Sequence, residues 1–496
     1  MRTKSHSASL VVLVALVVSM LPGSAGAQLR LANVPPVAVK IALAAPLTAG
    51  ATVLGQGMDR GTQLAIADYA SALASAGVSV SEVAADDQGD PSVAVAAAGS
   101  IVSDSQILGV VGHLNSGCSI PASKVYSLAH VAMISPASTN PALTQQGLDN
   151  VFRDVGTDAG QGIYAADICV RNLRLTKAYV VDDSTPYGAG LASKFGWRLK
   201  KDGGKVVGSA KTSDADTDFK RLVKKIKAKN PQVVFYGGIY NAGAIFTKQL
   251  KAKLPNVQIL GADGLFDTQF VKIAGASKAS GALASNVGLD TNKMIGGVAF
   301  AQRYAALFPG QPVGPYDAYA YDAASAILKA IIAVANESSP TALLSPGARE
   351  QVRAKVASST FTGVSGLVAF NSAGDTLNPS FSVYRVKSGA WRQCADVGRP
   401  STPSSVKRNA VFVAAGSLSP HFGPGSNSVT LLFYYHGSRK YSLLKSAKAT
   451  ISNSGQFSKY AAAVRLPKSG TWFVVAEQED GSHGRMDSTQ KYLAVK

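Results

Sequence analysis

The chain has little charge, little cysteine and few aromatic residues. Of its 496 residues only 16% are charged and 7% aromatic, and there are three cysteines. With 46% of residues hydrophobic, low charge excludes a mainly disordered polymer, and 48 glycines without a three-residue period exclude a collagen-like one. Three cysteines cannot build a disulfide scaffold. Motifs for chemistry are missing as well. The sequence holds no G-x-S-x-G, H-E-x-x-H, phosphate-binding loop or C-x-x-C, and no His, Cys and acidic residues cluster as metal ligands must. An enzyme is therefore the least supported class, and no metal or cofactor is expected.

Beyond the first 27 residues no uninterrupted apolar run approaches the ~20 residues of a spanning helix. The first segment itself has Arg2 and Lys4, the apolar run SLVVLVALVVSM over 9–20, and the small residues Ala25, Gly26 and Ala27 before Gln28. Such a pattern predicts a secretory signal peptide at 1–27, cleaved after Ala27, and a mature protein that is secreted, periplasmic or associated with the cell surface. No cysteine lies near the cleavage site, so a lipid anchor is not expected.

From residue 38 onward short apolar runs alternate with helical patterns. Strands are predicted at 39–46, 78–87, 107–113 and 131–136, with helices over 58–77, from Pro91, and from about Pro121. A second series begins near Ala159, with strands at 178–183, 205–211, 232–238, 257–264 and 281–286. Spacings of this kind suit right-handed βαβ crossovers. Two parallel-sheet units predict an α/β protein of two Rossmann-like lobes, with ligand bound beyond the carboxyl ends of the strands. The helix LVKKIKAKN (222–230) carries four lysines and reads as a solvated face rather than a nucleic-acid site. Near residue 400 the character changes. A Pro/Ser-rich basic linker at 399–409 precedes period-two runs over 410–496, one of them a hairpin turning at His436, Gly437 and Ser438, which predicts a small all-β sandwich. Residues 401–496 hold 12 Lys and Arg against 4 Asp and Glu, a large part of the chain's +19.

His113 at a strand end reads as a structural hydrogen-bonding group, and Cys118 beside it supports a Cys/His nucleophile only weakly. Asp86–Asp87 and Asp182–Asp183 read as loop and cap residues, since neighbours on a strand point to opposite faces. Binding without chemistry fits better. Ser116 follows GHLN at a strand end and leads into a helix whose free N–H groups suit a carboxylate. Ala137 and Thr139 lie in the next strand-end loop, ISPASTNP, and Asp263 stands between glycines in GADG. A carboxylate-binding wall opposite an isolated carboxylate suits a zwitterion, an α-amino acid.

At these residues a resemblance becomes specific. The stretches GHLNSGCSIPASKVY (112–126), MISPASTNPALTQQG (133–147), FRDVGTDAGQG (152–162), YGAGLA (187–192) and VVFYGG (233–238) closely resemble the leucine/isoleucine/valine-binding proteins of ABC importers, in order and spacing, across 38–397. The resemblance implies the type I periplasmic binding fold, two lobes joined by three crossovers that close on ligand. Lobe one would be 38–157 plus 288–368, and lobe two 158–287 plus 369–397. It implies that Ser116, Ala137 and Thr139 hold the α-carboxylate and ammonium of an amino acid, with Tyr187 and Asp263 from the second lobe and Ile239 lining the cleft. Asp263 stands where the best-known members have Glu. Leu54 in the first loop stands near a common aromatic position, Asn115 at an apolar or Cys position, and Tyr316 forms another wall; these departures put branched aliphatic specificity in doubt. The positions of the family's early disulfide read here as Gly89 and Asn115, so Cys118, Cys169 and Cys394 inherit no pairing.

The implied function is capture of an amino acid, branched-chain or related, for an ABC importer whose permease and ATPase are separate chains. The alternative is an extracellular sensor or cell-surface binding protein that reuses the fold. The C-terminal region is faintly similar to immunoglobulin-like modules of bacterial surface proteins. It reads as a spacer or as a basic module for anionic cell-wall polymer.

Overall fold

A computed structural model describes residues 35–394, 396–397, 401–419, 429–436, 441–454, 457–478, 486–488 and 491–496. The expected signal peptide and the hairpin turn after His436 lie outside the described residues. Two parallel sheets built to one plan dominate the structure. The first has strands β1 (Val37–Ala45), β2 (Val78–Asp86), β3 (Ile107–Gly112), β4 (Ala132–Ser135) and β5 (Val151–Arg153), in the order β2-β1-β3-β4-β5. All neighbours are parallel. Between them run α1 (Thr52–Ser75), α2 (Pro91–Ser103) and α3 (Ser116–Leu128).

Crossing to the second sheet, the chain forms α4 (Asp158–Asp167), β6 (Lys177–Asp182), α5 (Pro186–Lys201), β7 (Lys205–Lys211), α6 (Lys220–Lys229), β8 (Val233–Gly237), α7 (Tyr240–Lys253), β9 (Gln258–Gly261), the short α8 (Thr268–Ala274) and α9 (Ala276–Ala279), and β10 (Leu283–Val287). The order β7-β6-β8-β9-β10 repeats that of the first sheet. The chain then returns to lobe one as α10 (Gly297–Leu307), α11 (Asp317–Glu337), α12 (Ala348–Ala357) and the hairpin β11 (Thr360–Thr362) with β12 (Leu367–Ala369). It crosses a third time to add the antiparallel strands β13 (Phe381–Lys387) and β14 (Ala390–Gln393) to the edge of lobe two.

Local chemistry explains most boundaries. Asp90 caps α2 by accepting from the N–H groups of Ser92 and Val93, with Pro91 at the first position, and Thr185 with Pro186 does the same for α5. Asn230 ends α6 in the left-handed conformation, and that helix buries only Val223 and Ile226, so its lysines lie in solvent as expected. Among the described residues α11 alone is long and apolar enough to cross a membrane, and 83% of its apolar window is buried inside the protein. It serves as the core helix of lobe one. α1 lies against it through Gly57 and Gly61, where a Cβ would stand 2.1 and 2.2 Å from atoms of Asp317.

Two helices begin earlier than their sequence patterns predict. α3 starts at Ser116 and carries Pro121 inside it; the missing N–H forfeits a single bond, to the carbonyl of Gly117, which the packing around Cys118, Ala122 and Tyr126 outweighs. α1 starts at Thr52, so Leu54 belongs to a helix turn and not to a loop. The C-terminal region forms two sheets, one of four and one of six strands, and Phe412 of one meets Phe433 of the other edge to face. The segment read as a linker is partly woven into these sheets: Ser405–Val406 pairs with Lys491–Val495, and Ser401 bridges Ala415. One apolar cluster holds residues of both lobe two and this β region, and Arg174 of lobe two lies over the rings of Tyr434 and Phe473.

Candidate functional site

In sheets of this strand order the crevice forms where neighbouring connections leave in opposite directions, at the carboxyl ends of the strands. Every expected ligand-binding residue sits there or on a helix facing it. Leu114, Asn115 and Ser116 follow β3, Ala137 and Thr139 follow β4, Tyr187 opens α5 after β6, Ile239 precedes α7 after β8, and Asp263 begins a turn after β9. A cavity of about 100 Å³ lies between the lobes. Its walls include Leu54, Asn115, Ser116, Ala137, Tyr187, Ile239, Asp263 and Tyr316. Of the nine expected residues only Thr139 is not on that wall. It is fully buried behind the loop, and its carbonyl accepts from the N–H of Asp158.

One end of the cavity is anionic. Asp263 is buried, and its two carboxylate oxygens accept from the hydroxyls of Tyr187 (2.8 Å) and Tyr316 (2.5 Å). The N–H of Gly264 in turn donates to the Tyr187 hydroxyl at 2.8 Å. Burial pushes the Asp263 carboxyl above the ordinary carboxylate range, while Tyr316, Tyr187 and Gln161 oppose the shift by hydrogen bonding. A carboxylate offers about four lone-pair sites, so the tyrosines leave room for a donor from a ligand. The opposite wall is a helix start. Asn115 occupies the capping position of α3 but makes no side-chain cap bond. The N–H groups of Ser116 and Gly117, in the first turn, are left for an anion at the positive end of the helix dipole. The Ser116 hydroxyl accepts from the N–H of Asn140 and retains its own proton for donation.

Several site-forming residues carry no signal that sequence reasoning used, although three of them lie in FRDVGTDAGQG. Arg153, fully buried, holds the β4 loop by donating to the carbonyls of Ser138 (3.1 Å) and Asn140 (2.8 Å), and pairs with Asp375 after the third crossover. Gln161 donates to the Ser285 carbonyl at 3.1 Å. Asp158 is buried with no hydrogen bond of normal length to either oxygen. Burial raises its carboxyl well above the usual range, the Thr139 hydroxyl opposes this only in part, and Asp263 adds to it. Asp183 is pushed up to about 6 by burial, against the bonds it accepts from Thr185. Two contacts join the lobes across the mouth: Asn140 Nδ2 donates to the Pro186 carbonyl and Asn241 Nδ2 to that of Gly50, at 2.5 and 3.2 Å. His113 is structural, buried between Asp87 (2.7 Å) and the Tyr126 hydroxyl (3.0 Å). Asp86 and Asp182 accept from loop N–H groups. The three cysteines are free and buried.

The model of the periplasmic binding protein family matches residues 38–390. The chain is 31% identical over 351 residues to Leu/Ile/Val-binding protein homolog 3 of Brucella melitensis, covering 71% of this chain and 92% of that one. It is 32% identical over 363 residues to Leu/Ile/Val-binding protein BraC3 of Rhizobium johnstonii, covering 73% and 95%. The chain belongs to the Leu/Ile/Val-binding family of periplasmic binding proteins. A leucine binding protein LivK of Thermotoga maritima superposes with a TM-score of 0.64 at 25% identity, over 72% of this chain and 97% of that one. LivJ of Streptococcus pneumoniae, solved in complex with isoleucine, gives 0.63 at 24%, over 71% and 97%. The two lobes thus have the type I periplasmic binding fold. Leu/Ile/Val-binding family members are exported solute-binding proteins, not enzymes, and this one is accordingly a periplasmic binding component. The β region lies beyond the matched residues.

Proposed function

We propose that this protein captures one free α-amino acid, branched-chain or related, between its lobes and delivers it to an ABC importer. Its permease and ATPase are separate chains, and the capture step needs no cofactor. The observation that carries this reading is the pairing across one small cavity of an uncapped helix start at Ser116 and Gly117 with the buried carboxylate of Asp263. An α-carboxylate takes the first, and the ammonium takes the second together with the carbonyl of Ala137. Thr139 serves from behind, as the hydroxyl between that loop and Asp158. Leu54, Ile239, Tyr316 and Asn115 enclose the side chain. Export proceeds by cleavage near Ala27, and the lobes divide at 157–158, 287–288 and 368–369. Melting the purified chain against a panel of amino acids tests the reading. Ligand at 100 times its Kd adds about 2.7 kcal/mol, a clear upward shift, and no shift with any amino acid refutes it.

A second reading is favoured by the all-β region beyond residue 390. On it the chain is a sensor or cell-surface binding protein, with an immunoglobulin-like module that spaces the lobes from the surface or holds anionic wall polymer through its basic residues. Sedimentation with purified cell wall that is lost as salt rises would support it.

A further inference from the structure

Asn115 stands at a position where asparagine ordinarily caps a helix by accepting from the second or third N–H. Its backbone is set for that role, with φ −81° and ψ 129°, yet its side chain makes no such bond. Asn115 is instead one of the residues that line the cavity. Its Oδ1 is buried without a hydrogen-bond partner, close to Gly89, where an added Cβ would stand 3.5 Å away. A buried polar atom left unpaired in a native fold demands a cause, and the cavity beside Asn115 points to a partner that enters it.

Charge narrows the choice. Three aspartates, Asp183, Asp214 and Asp263, line the cavity, and no Lys, Arg or His does, in a chain of net charge +19. An acidic ligand side chain would face carboxylates with no cation to receive it. Size narrows it again, because about 100 Å³ is well below the roughly 300–1,000 Å³ of pockets for drug-sized ligands. A carboxamide both donates and accepts, and so matches a group that does both.

We propose that the ligand is a small α-amino acid with an uncharged hydroxyl or carboxamide side chain, read by Asn115, in preference to a branched aliphatic one. This rests on the amino-acid reading above and deepens it. A hydrocarbon placed against Asn115 would leave the amide desolvated and unpaired, a loss of about 5- to 150-fold in affinity.

The test is titration calorimetry of the full-length chain with serine, threonine, asparagine, glutamine, valine, leucine, isoleucine and aspartate. The expected result is that at least one of the first four binds about 5- to 150-fold tighter than any of the branched three, with aspartate weakest. Asn115→Leu should invert the order, and Asn115→Ala should erase the preference while melting like the parent. Tighter binding of leucine, isoleucine or valine by the parent chain overturns the assignment while leaving amino-acid capture standing. So does a preference that survives in Asn115→Ala. Absence of binding by every amino acid overturns both.

Discussion

At the scale of single residues, the proposed function turns on Asp263, which is buried and lines the cavity. Its carboxyl is raised by burial, so protonation begins at higher pH than for an exposed aspartate. Only the ionised form pairs with an ammonium. Amino-acid affinity should therefore decline as pH falls through the raised value, approaching about tenfold per unit, with proton release on binding in that range. Calorimetry at a series of pH values, in two buffers of different ionisation enthalpy, checks this. A flat affinity from neutrality down to pH 4 would assign the ammonium elsewhere. Ser116, Ala137 and Asp263 were legible as cavity positions because each follows a strand-like run, and Tyr187 and Ile239 through the family resemblance. Thr139 was legible as a loop residue, but its retreat behind the wall was not, because that depends on Asp158 from another lobe. Arg153 was missed for a related reason: an arginine in a sequence motif gives no sign that its guanidinium will be buried between two loops.

At the scale of elements, the site depends on how closely α1 approaches the start of α11. Tyr316 directly precedes α11, and Leu54 lies on the first turn of α1. Gly61 permits the approach, because a Cβ there would lie 2.2 Å from the carbonyl oxygen of Asp317, a backbone atom that cannot swing aside. Gly61→Ala should cost about 1–3 kcal/mol through overpacking. Thermal melting reads it directly, and an unchanged melting temperature would show that the helices separate at no cost. The two βαβ series were visible in sequence because buried parallel strands are short apolar runs. The early start of α3 was not, since Pro121 normally marks a first turn and here lies within the helix.

At the scale of the whole molecule, the β region is not a loosely tethered appendage. It shares an apolar cluster with lobe two, and Arg174 lies on two of its rings. Every cavity residue nonetheless precedes Phe370. Truncation after residue 398 should leave amino-acid affinity unchanged and lower the melting temperature, because it uncovers apolar surface of lobe two. Loss of affinity on truncation would place the β region in the binding event.

Calorimetric comparison of the parent chain with Asp263→Ala, using the amino acid that binds the parent best, addresses the account most directly. One site per chain and a loss of about 2–5 kcal/mol in the variant, roughly 30- to several-thousand-fold in Kd, is the predicted result; equal affinity in the two proteins would contradict it.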